Sequence, residues 1–178
     1  SYSIFKNHDK TNMVGGSGDG NGAKERAFNR ITFSNNIWQD ITQRAPRARF
    51  GQFHVYNNLY DGITSSGINV RAGGLALIEN NWFQNSNNPI TCRYDTVGCG
   101  KWELVGNNTK SAADNATYNI SWDSAGSGGI NADTWISTTT FPRSKLTYTY
   151  SPASAQCVKN GLLNVVGVGK NLATLSCN

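Results

Sequence analysis

Three copies of one pattern decide how this chain folds: Phe33-Ser34-Asn35-Asn36-Ile37-Trp38, Val55-Tyr56-Asn57-Asn58-Leu59-Tyr60 and Ile78-Glu79-Asn80-Asn81-Trp82-Phe83. In each copy a short apolar segment leads into an asparagine pair and then into two large apolar residues. Val105-Gly106-Asn107-Asn108 repeats the first half. If Asn107 is aligned with the first asparagine of each pair (35, 57 and 80), the intervals are 22, 23 and 27 residues. Repeats of this length are typical of solenoid proteins.

The segments between the copies are too short and too rich in glycine for helix pairs, and they contain no leucine-rich consensus. The pattern therefore predicts an all-β fold, a right-handed parallel β-helix, with strands at residues 31–33, 53–56 and 75–78. Stacked asparagine turns would form ladders of side-chain amides, and asparagine tolerates the left-handed conformation that such turns require. Ordinary hairpin turns, the alternative, would not require three copies with matching apolar flanks.

The repeat fades after Lys110, which divides the predicted single domain (residues 1–178) into rungs at 1–110 and a loop-rich wrapping tail at 111–178. Within the tail, alternating aromatic residues predict short strands at 117–122 and 146–150. A short helix is expected over residues 153–159. Ser151 would be its N-cap, Pro152 would occupy the first turn, and Gly161 would lie beyond its end.

The net charge of the 178 residues is +5, and most of it is concentrated in one segment. Between Lys24 and Arg49 there are six basic and two acidic residues. Such concentration favours an acidic partner, but no nucleic-acid-binding motif accompanies it, so nucleic acid is not predicted. No apolar run approaches the ~20 residues that span a membrane. The first residues show no signal peptide, which is compatible with a mature or trimmed product.

Four cysteines form two pairs that are close in sequence, Cys92 with Cys99 and Cys157 with Cys177. A zinc ribbon needs a different spacing, and no histidine is near either pair. The even count and the spacing therefore favour two disulfides in an exported protein.

Arg44, Arg47 and Arg49 lie within six residues around Pro46, directly before the strand predicted at 53–56. Guanidinium groups match carboxylates and phosphates, so this segment predicts an anion site; a solvated basic loop is the alternative. His54 follows in the strand, where a packed, hydrogen-bonded histidine is favoured over a general base. The glycine-rich residues 15–20 resemble a calcium-binding nonapeptide. They occur once, with Asp19 one place early, so a flexible loop is expected.

Longer segments resemble the extracellular pectate lyases of polysaccharide lyase family 1. The resemblance is carried by Asn7-His8-Asp9-Lys10-Thr11, by Arg44-Ala45-Pro46-Arg47-Ala48-Arg49, by Val55-Tyr56-Asn57-Asn58 and by Tyr150-Ser151-Pro152-Ala153-Ser154-Ala155-Gln156-Cys157. It spans essentially the whole chain but covers only the C-terminal half of such an enzyme. It implies a parallel β-helix, secretion, and eliminative cleavage of polygalacturonate in plant cell-wall pectin.

The resemblance also implies roles for single residues. Lys10 and Arg44 would be catalytic: Lys10 would help to neutralise the substrate carboxylate and Arg44 would be the base. Because guanidinium groups ordinarily stay protonated, hydroxide beside Arg44 remains an alternative base. Arg49 would hold a substrate carboxylate and Arg47 would add positive field. Calcium is implied as the cofactor, with ligands upstream of this chain, so no residue here is predicted to bind metal.

Two alternative functions remain open at this point, a non-catalytic polyuronate-binding fragment and a pectin lyase that acts on methyl-esterified substrate. A β-helix that starts at Ser1 would expose an unpaired rung, which is expected to bind a missing N-terminal half or a second copy. We therefore expect residues 1–178 alone to bind polygalacturonate weakly and to cleave it poorly.

Overall fold

A computed structural model describes residues 1–16, 20, 22–92, 98–123, 135–170, 175 and 177, apart from the side chain of residue 23. The described residues contain three α-helices, α1 (Gly22–Phe28), α2 (Ala112–Tyr118) and α3 (Ala155–Val165), and a short 3-10 helix (Arg143–Lys145). They also contain these strands: β1 (Ile4–Lys10), β2 (Met13–Val14), β3 (Arg30–Ser34), β4 (Ile37–Gln43), β5 (Arg47–Arg49), β6 (Gln52–Tyr56), β7 (Leu59–Ser66), β8 (Ile68–Arg71), β9 (Leu75–Glu79), β10 (Trp82–Gln84), β11 (Ser86–Asn87), β12 (Ile90–Thr91), β13 (Lys101–Val105) and β14 (Ile120–Ser121).

Most strands belong to three parallel sheets of four strands each. The first sheet contains β1, β4, β7 and β10, the second β2, β5, β8 and β12, and the third β3, β6, β9 and β13. Since successive strands enter successive sheets, each turn of the chain adds one strand to every sheet. This is the predicted parallel β-helix, and the fold class is confirmed. The strands predicted at 31–33, 53–56 and 75–78 lie within β3, β6 and β9.

The predicted amide ladder runs through four buried asparagines, Asn36, Asn58, Asn81 and Asn107. The backbone N–H of Asn36 donates to Oδ1 of Asn58 at 2.9 Å, and that of Asn58 donates to Oδ1 of Asn81 at 3.0 Å. The backbone N–H of Asn81 continues the series to Oδ1 of Asn107 at 2.9 Å. The ladder therefore satisfies buried backbone donors at the turn, as a buried polar group requires.

The first asparagine of each pair has a different role, because Asn35, Asn57 and Asn80 adopt the left-handed conformation with φ of 52–53°. In the fourth rung Gly106 takes this place, with φ of 60°. The alignment of Asn107 with the first asparagines was therefore wrong by one residue. Glycine adopts this conformation readily, and a Cβ at this place would meet the amide oxygen of Asn80, which would have to move.

The two large apolar residues after each pair point in opposite directions, as alternation along a strand requires. The inward residues form a stack of rings, with centroids 4.9 and 4.8 Å apart, in the order Trp38, Tyr60 and Phe83. The outward residues form a second apolar cluster with α3 and are Ile37, Leu59 and Trp82. Both sets are buried, so the repeat supplies the core and also the surface on which the tail packs.

The tail helix begins and ends later than predicted, at Ala155 and Val165, so the bounds of 153–159 were wrong. Ser154, not Ser151, is the N-cap, and its side chain accepts from the N–H of Cys157 at 3.2 Å. Gly161 lies inside the helix. Its cost of ~1 kcal/mol is outweighed because Val158 and Leu162 bury apolar surface on either side of it.

The strands predicted at 117–122 and 146–150 were also wrong. Residues 117 and 118 end α2, and Asn119 turns the chain with φ of 53°. Only Ile120–Ser121 forms a strand, which pairs in parallel with β11. The carboxylate of Asp114 accepts from the N–H of Ser111 at 2.9 Å, and this capping contact stabilises helix where aromatic content suggested strand. Residues 146–150 are irregular.

Both predicted disulfides are present. The Cα atoms of Cys92 and Cys99 are 5.1 Å apart, and those of Cys157 and Cys177 are 5.4 Å apart. The second bond joins α3 to the end of the tail. None of the helices in the described ranges is long and apolar enough to cross a membrane.

Candidate functional site

Four basic residues lie at the turn between the first and second sheets and along the short strand that follows it, and we call them the cationic edge: Lys10, Arg44, Arg47 and Arg49. Lys10 is the last residue of β1 and pairs in register with Gln43, the last residue of β4. Arg44 follows Gln43 directly, and β5 begins three residues later. The β-helix thus brings Lys10 beside the arginine segment although 34 residues separate Lys10 from Arg44 in sequence.

The backbone of Arg44 is held in the left-handed conformation, with φ of 64°. Its N–H donates to the carbonyl of Ser66 at 3.2 Å, and its carbonyl accepts from the N–H of Asn12 at 2.9 Å. These two bonds connect it to the rungs on both sides. Arg44 is the only one of the three arginines with this conformation, which in this chain also occurs at Phe50 and at the asparagine turns, so it marks a sharp turn of the backbone at Arg44.

Arg47 and Arg49 face the same way because they alternate with Ala48, which is buried in the core. The guanidinium of Arg49 lies over the ring of Phe50, with 4.9 Å between the guanidinium carbon and the ring centroid. Arg26 of α1 approaches the same ring at 5.8 Å. The buried Phe50 ring therefore supports the guanidinium of Arg49 from beneath, a contact that the sequence analysis missed.

Met13 was also missed. It is 52% exposed and pairs in register with Arg47 across the second sheet. Its Sδ lies 3.7 Å from Nη1 of Arg44 and also contacts Nη2 of Arg47. A thioether is a weak hydrogen-bond acceptor, so it brings the two guanidinium groups together without neutralising them. The contact depends on neighbouring rungs, and no spacing within the sequence indicates it.

Asp9 is the acid that accompanies Lys10. Its carboxylate accepts from Nε2 of Gln43 at 3.2 Å and lies 3.4 Å from Nζ of Lys10. The hydrogen bond from Gln43 lowers the pKa of Asp9, and the charges of Lys10 and Arg44 add to this effect. Asp9 therefore carries a negative charge at neutral pH, and the field of Arg44 reaches it.

Calcium takes six to eight oxygen ligands from carboxylates, carbonyl groups and water. No group of three or more His, Cys, Asp or Glu side chains is placed to hold a metal within the described ranges. Asp9 is already engaged by Lys10 and Gln43. Asp19, in the glycine-rich segment, lies outside the described residues. The described side chains therefore do not fit calcium, and no step of the chemistry below is assigned to a metal.

His54 does not belong to the cationic edge. It lies on the outward face of the third sheet in what we call the tail network: Thr32, His54, Glu79, Tyr148 and Tyr150. Nε2 of His54 is 2.6 Å from Oε1 of Glu79, and Nδ1 is 2.6 Å from the hydroxyl of Tyr148. That hydroxyl also bonds Thr32 at 2.7 Å. His54 is a packed, hydrogen-bonded histidine, as the sequence favoured.

Glu79 completes the tail network at its buried end. Burial by itself would raise the pKa of Glu79. Hydrogen bonds from His54 and Tyr150, together with the charges of His54 and Arg143, nevertheless lower it overall. Glu79 is therefore a carboxylate at neutral pH, and its charge is compensated inside the network.

The cationic edge carries four basic residues, and guanidinium and ammonium groups match anionic groups such as carboxylates. A pectate lyase family model matches residues 1–171 of the chain. Pectate lyase B of Dickeya chrysanthemi is 54% identical over 154 residues, which is 86% of this chain and 40% of that protein. Pectate lyase 2 of Pectobacterium carotovorum is 48% identical over 99% of the chain and 45% of its own length.

Solved structures agree with these relatives. A variant of pectate lyase C in complex with pentagalacturonic acid superposes with a TM-score of 0.85 at 45% identity, over 98% of this chain and 47% of that one. Pectate lyase C from Erwinia chrysanthemi with Ca2+ gives a TM-score of 0.84 at 45% identity, over 98% and 47% of the two chains. The chain thus spans somewhat less than half the length of these proteins.

Proposed function

Because this chain belongs to the pectate lyase family, we propose that it supplies the catalytic arginine side of a lyase that cleaves α-1,4-polygalacturonate by β-elimination. The observation that carries the proposal is the cationic edge. Lys10 lies beside the residue that precedes Arg44. Arg47 and Arg49 face outward from β5, and the backbone of Arg44 is bonded to the rungs on both sides. A ligand with one carboxylate per sugar matches such an edge.

The proposed reaction has one elimination step. Arg44 takes the proton from C5 of a galacturonate unit, the C4–O bond of the glycosidic link breaks, and a double bond forms between C4 and C5. The leaving oxygen then takes up a proton. The C5 proton is acidic enough only if the adjacent carboxylate is neutralised, and Lys10 contributes to this neutralisation. Arg49, supported by Phe50, holds a substrate carboxylate, and Arg47 adds positive field.

We propose three further features together with this function. Calcium that takes part in the reaction is held by carboxylates other than those described, because the described acids do not form a site. The protein is exported, which its two disulfides support. Residues 111–178 wrap the rungs of residues 1–110 as part of one domain, and the packing of α3 on Ile37, Leu59 and Trp82 supports this.

The test is incubation of the protein with polygalacturonate, with and without added calcium, while the ultraviolet absorbance of the unsaturated product is followed. Saturable binding and growing absorbance, both reduced by substitutions in the cationic edge, are the expected result for the complete enzyme. Arg30→Lys is the matched control, because Arg30 is an exposed arginine at the start of β3 in the third sheet.

Other results of the same incubation would support one of the two alternative functions. Binding of polygalacturonate without product would identify a non-catalytic polyuronate-binding protein, for which the lack of a calcium site among the described residues is the motivating observation. Product from methyl-esterified pectin alone, without calcium, would identify a pectin lyase. Failure to bind either polymer would overturn the proposed substrate class.

A further inference from the structure

Met13 is the single methionine among 178 residues, and its sulfur lies inside the cationic edge. The side chain is 52% exposed, so a small oxidant can reach Sδ. The other sulfur atoms are protected from such chemistry because all four cysteines are already joined in disulfides. An oxidant that meets the folded protein would therefore act on sulfur at Met13.

We propose that Met13 is an oxidation-sensitive modification site, and that its sulfoxide withdraws Arg44 and Arg47 from anionic ligands. The oxidant is a peroxide. A lone pair of Sδ attacks one peroxide oxygen, the O–O bond breaks and an S–O bond forms. Sulfur loses two electrons, and the second oxygen leaves as water after a proton shift. Methionine sulfoxide reductases reverse such oxidation, so the modification can act as a switch.

The physical reason is that the thioether sulfur of Met13 and the oxygen of its sulfoxide differ in strength as hydrogen-bond acceptors. The thioether is a weak acceptor, so its contacts with Arg44 and Arg47 compete little with a carboxylate for the guanidinium donors. A sulfoxide oxygen is a strongly polar acceptor, and here it would form within reach of two guanidinium groups. Each arginine that donates to it loses a donor and is reoriented toward Met13. An incoming substrate carboxylate then has to displace that hydrogen bond.

This proposal rests on the proposed function, since it concerns regulation of the same site. The experiment compares the protein before and after hydrogen peroxide treatment, with mass spectrometry to confirm that one oxygen has been added to Met13. Binding of polygalacturonate is measured by isothermal titration calorimetry. We expect the Kd to rise about tenfold on oxidation, as expected when charge-assisted hydrogen bonds to the ligand are lost. Treatment with a methionine sulfoxide reductase should restore the original value.

Two variants separate oxidation of Met13 from oxidation elsewhere. Met13→Leu keeps the apolar bulk and removes the sulfur, so its Kd should be the same before and after peroxide. Met13→Gln places a neutral carbonyl oxygen near the position of the sulfoxide, so without peroxide its Kd should be close to that of the oxidised protein. An unchanged Kd after complete oxidation of Met13, or an equal loss in peroxide-treated Met13→Leu, would overturn the proposal.

A second readout keeps the inference testable if no form of the protein binds polygalacturonate, an outcome in which the proposed function fails. The side-chain N–H signals of Arg44 and Arg47 are followed by NMR and assigned with Arg44→Lys and Arg47→Lys. If the proposal is correct, both signals shift when Met13 is oxidised, and the side-chain signal of Arg30 does not. If the signals of Arg44 and Arg47 stay unchanged, the sulfoxide does not engage the arginines and the proposal is wrong.

Discussion

The second and third sheets both present charged side chains on their outward faces, but the two faces differ in what covers them. On the third sheet, His54 and Glu79 are 2.6 Å apart with side chains 1% and 7% exposed, and Tyr148 and Tyr150 of the tail lie over them. At the cationic edge Lys10 is 53% exposed, and Met13, which touches two arginines, is also open to solvent.

This difference separates a structural charge cluster from a candidate ligand site. In the tail network a carboxylate meets a histidine, and tyrosine hydroxyls occupy the remaining hydrogen-bonding positions, so the charge is compensated within the protein. At the cationic edge four basic residues accompany Asp9, and Lys10 is exposed to solvent. A net positive charge at an accessible edge attracts an oppositely charged ligand.

The largest effect is expected from Arg44→Lys, which keeps the charge at the cationic edge but changes the proposed base. In the complete enzyme we expect kcat to fall by at least ~100-fold, the lower range for loss of a general base, while polygalacturonate binding is largely kept. Product absorbance measures turnover, and calorimetry measures binding. Arg30→Lys should retain wild-type turnover. Nearly full activity in Arg44→Lys would leave hydroxide as the better candidate for the base.

The matching change in the tail network is Glu79→Ala. It leaves His54 buried without its carboxylate partner, and we expect the free energy of unfolding to fall by about 3 kcal/mol. Urea denaturation followed by tryptophan fluorescence measures this change. If the protein stays folded, its affinity for polygalacturonate should not change, because Glu79 lies on a different sheet. An affinity loss as large as that caused by changes at the cationic edge would show that the two faces are coupled.

Acid should also lower the free energy of unfolding, but by less than Glu79→Ala does. The reason is that a protonated carboxyl group at Glu79 still forms hydrogen bonds. The pKa of Glu79 lies below its usual 4.5 in the folded protein. The stability that its charge contributes is therefore present above about pH 4.5 and is lost as the pH falls through the folded pKa. Urea unfolding at a series of pH values tests this. Glu79→Gln should flatten the acid limb; an equally steep limb in the variant would assign the dependence to other groups.

A smaller effect is expected for Lys10→Ala, which removes one exposed charge from the cationic edge. We expect kcat/KM to fall about tenfold in the complete enzyme, with weaker binding as part of the loss, because an exposed ammonium is screened by water and salt. Lys145→Ala, which removes a lysine from the 3-10 helix of the tail, is the control and should have wild-type kinetics. If Lys10→Ala binds and turns over normally, Lys10 does not neutralise the substrate.

The smallest effect is predicted at the exposed rim of the tail network. Nη1 of Arg143 is 2.8 Å from Oε2 of Glu103, but the Arg143 side chain is 44% exposed. Arg143→Ala should therefore lower the free energy of unfolding by less than ~1 kcal/mol, clearly less than Glu79→Ala. The same urea assay ranks the two variants. A larger loss of unfolding free energy for Arg143→Ala than for Glu79→Ala would mean that the exposed contact between Arg143 and Glu103 contributes more to stability than the buried tail network.

Much of the fold could be predicted from the repeated asparagine pairs. They indicated a parallel β-helix, three of its strands and the amide ladder, because residues at equal spacing occupy equal places in successive rungs. The alignment of Asn107 was wrong because Gly106 can replace asparagine at a left-handed position, and a search for identical residues does not detect this substitution. The strand predicted at 117–122 was wrong because capping of α2 outweighed aromatic content.

The order of residues along the chain was enough to indicate the class of fold, the two disulfides and the arginine segment, since each depends on spacing or local composition. The positions of the charged groups relative to one another depend on contacts between distant rungs. His54 follows Arg49 closely in sequence, yet it faces the tail on another sheet, and Met13 meets Arg44 across 31 residues. Such contacts are stabilised by packing and hydrogen bonds that exist only in the folded chain, so folding determines which charged groups are buried beneath the tail and which lie at an edge that solvent reaches.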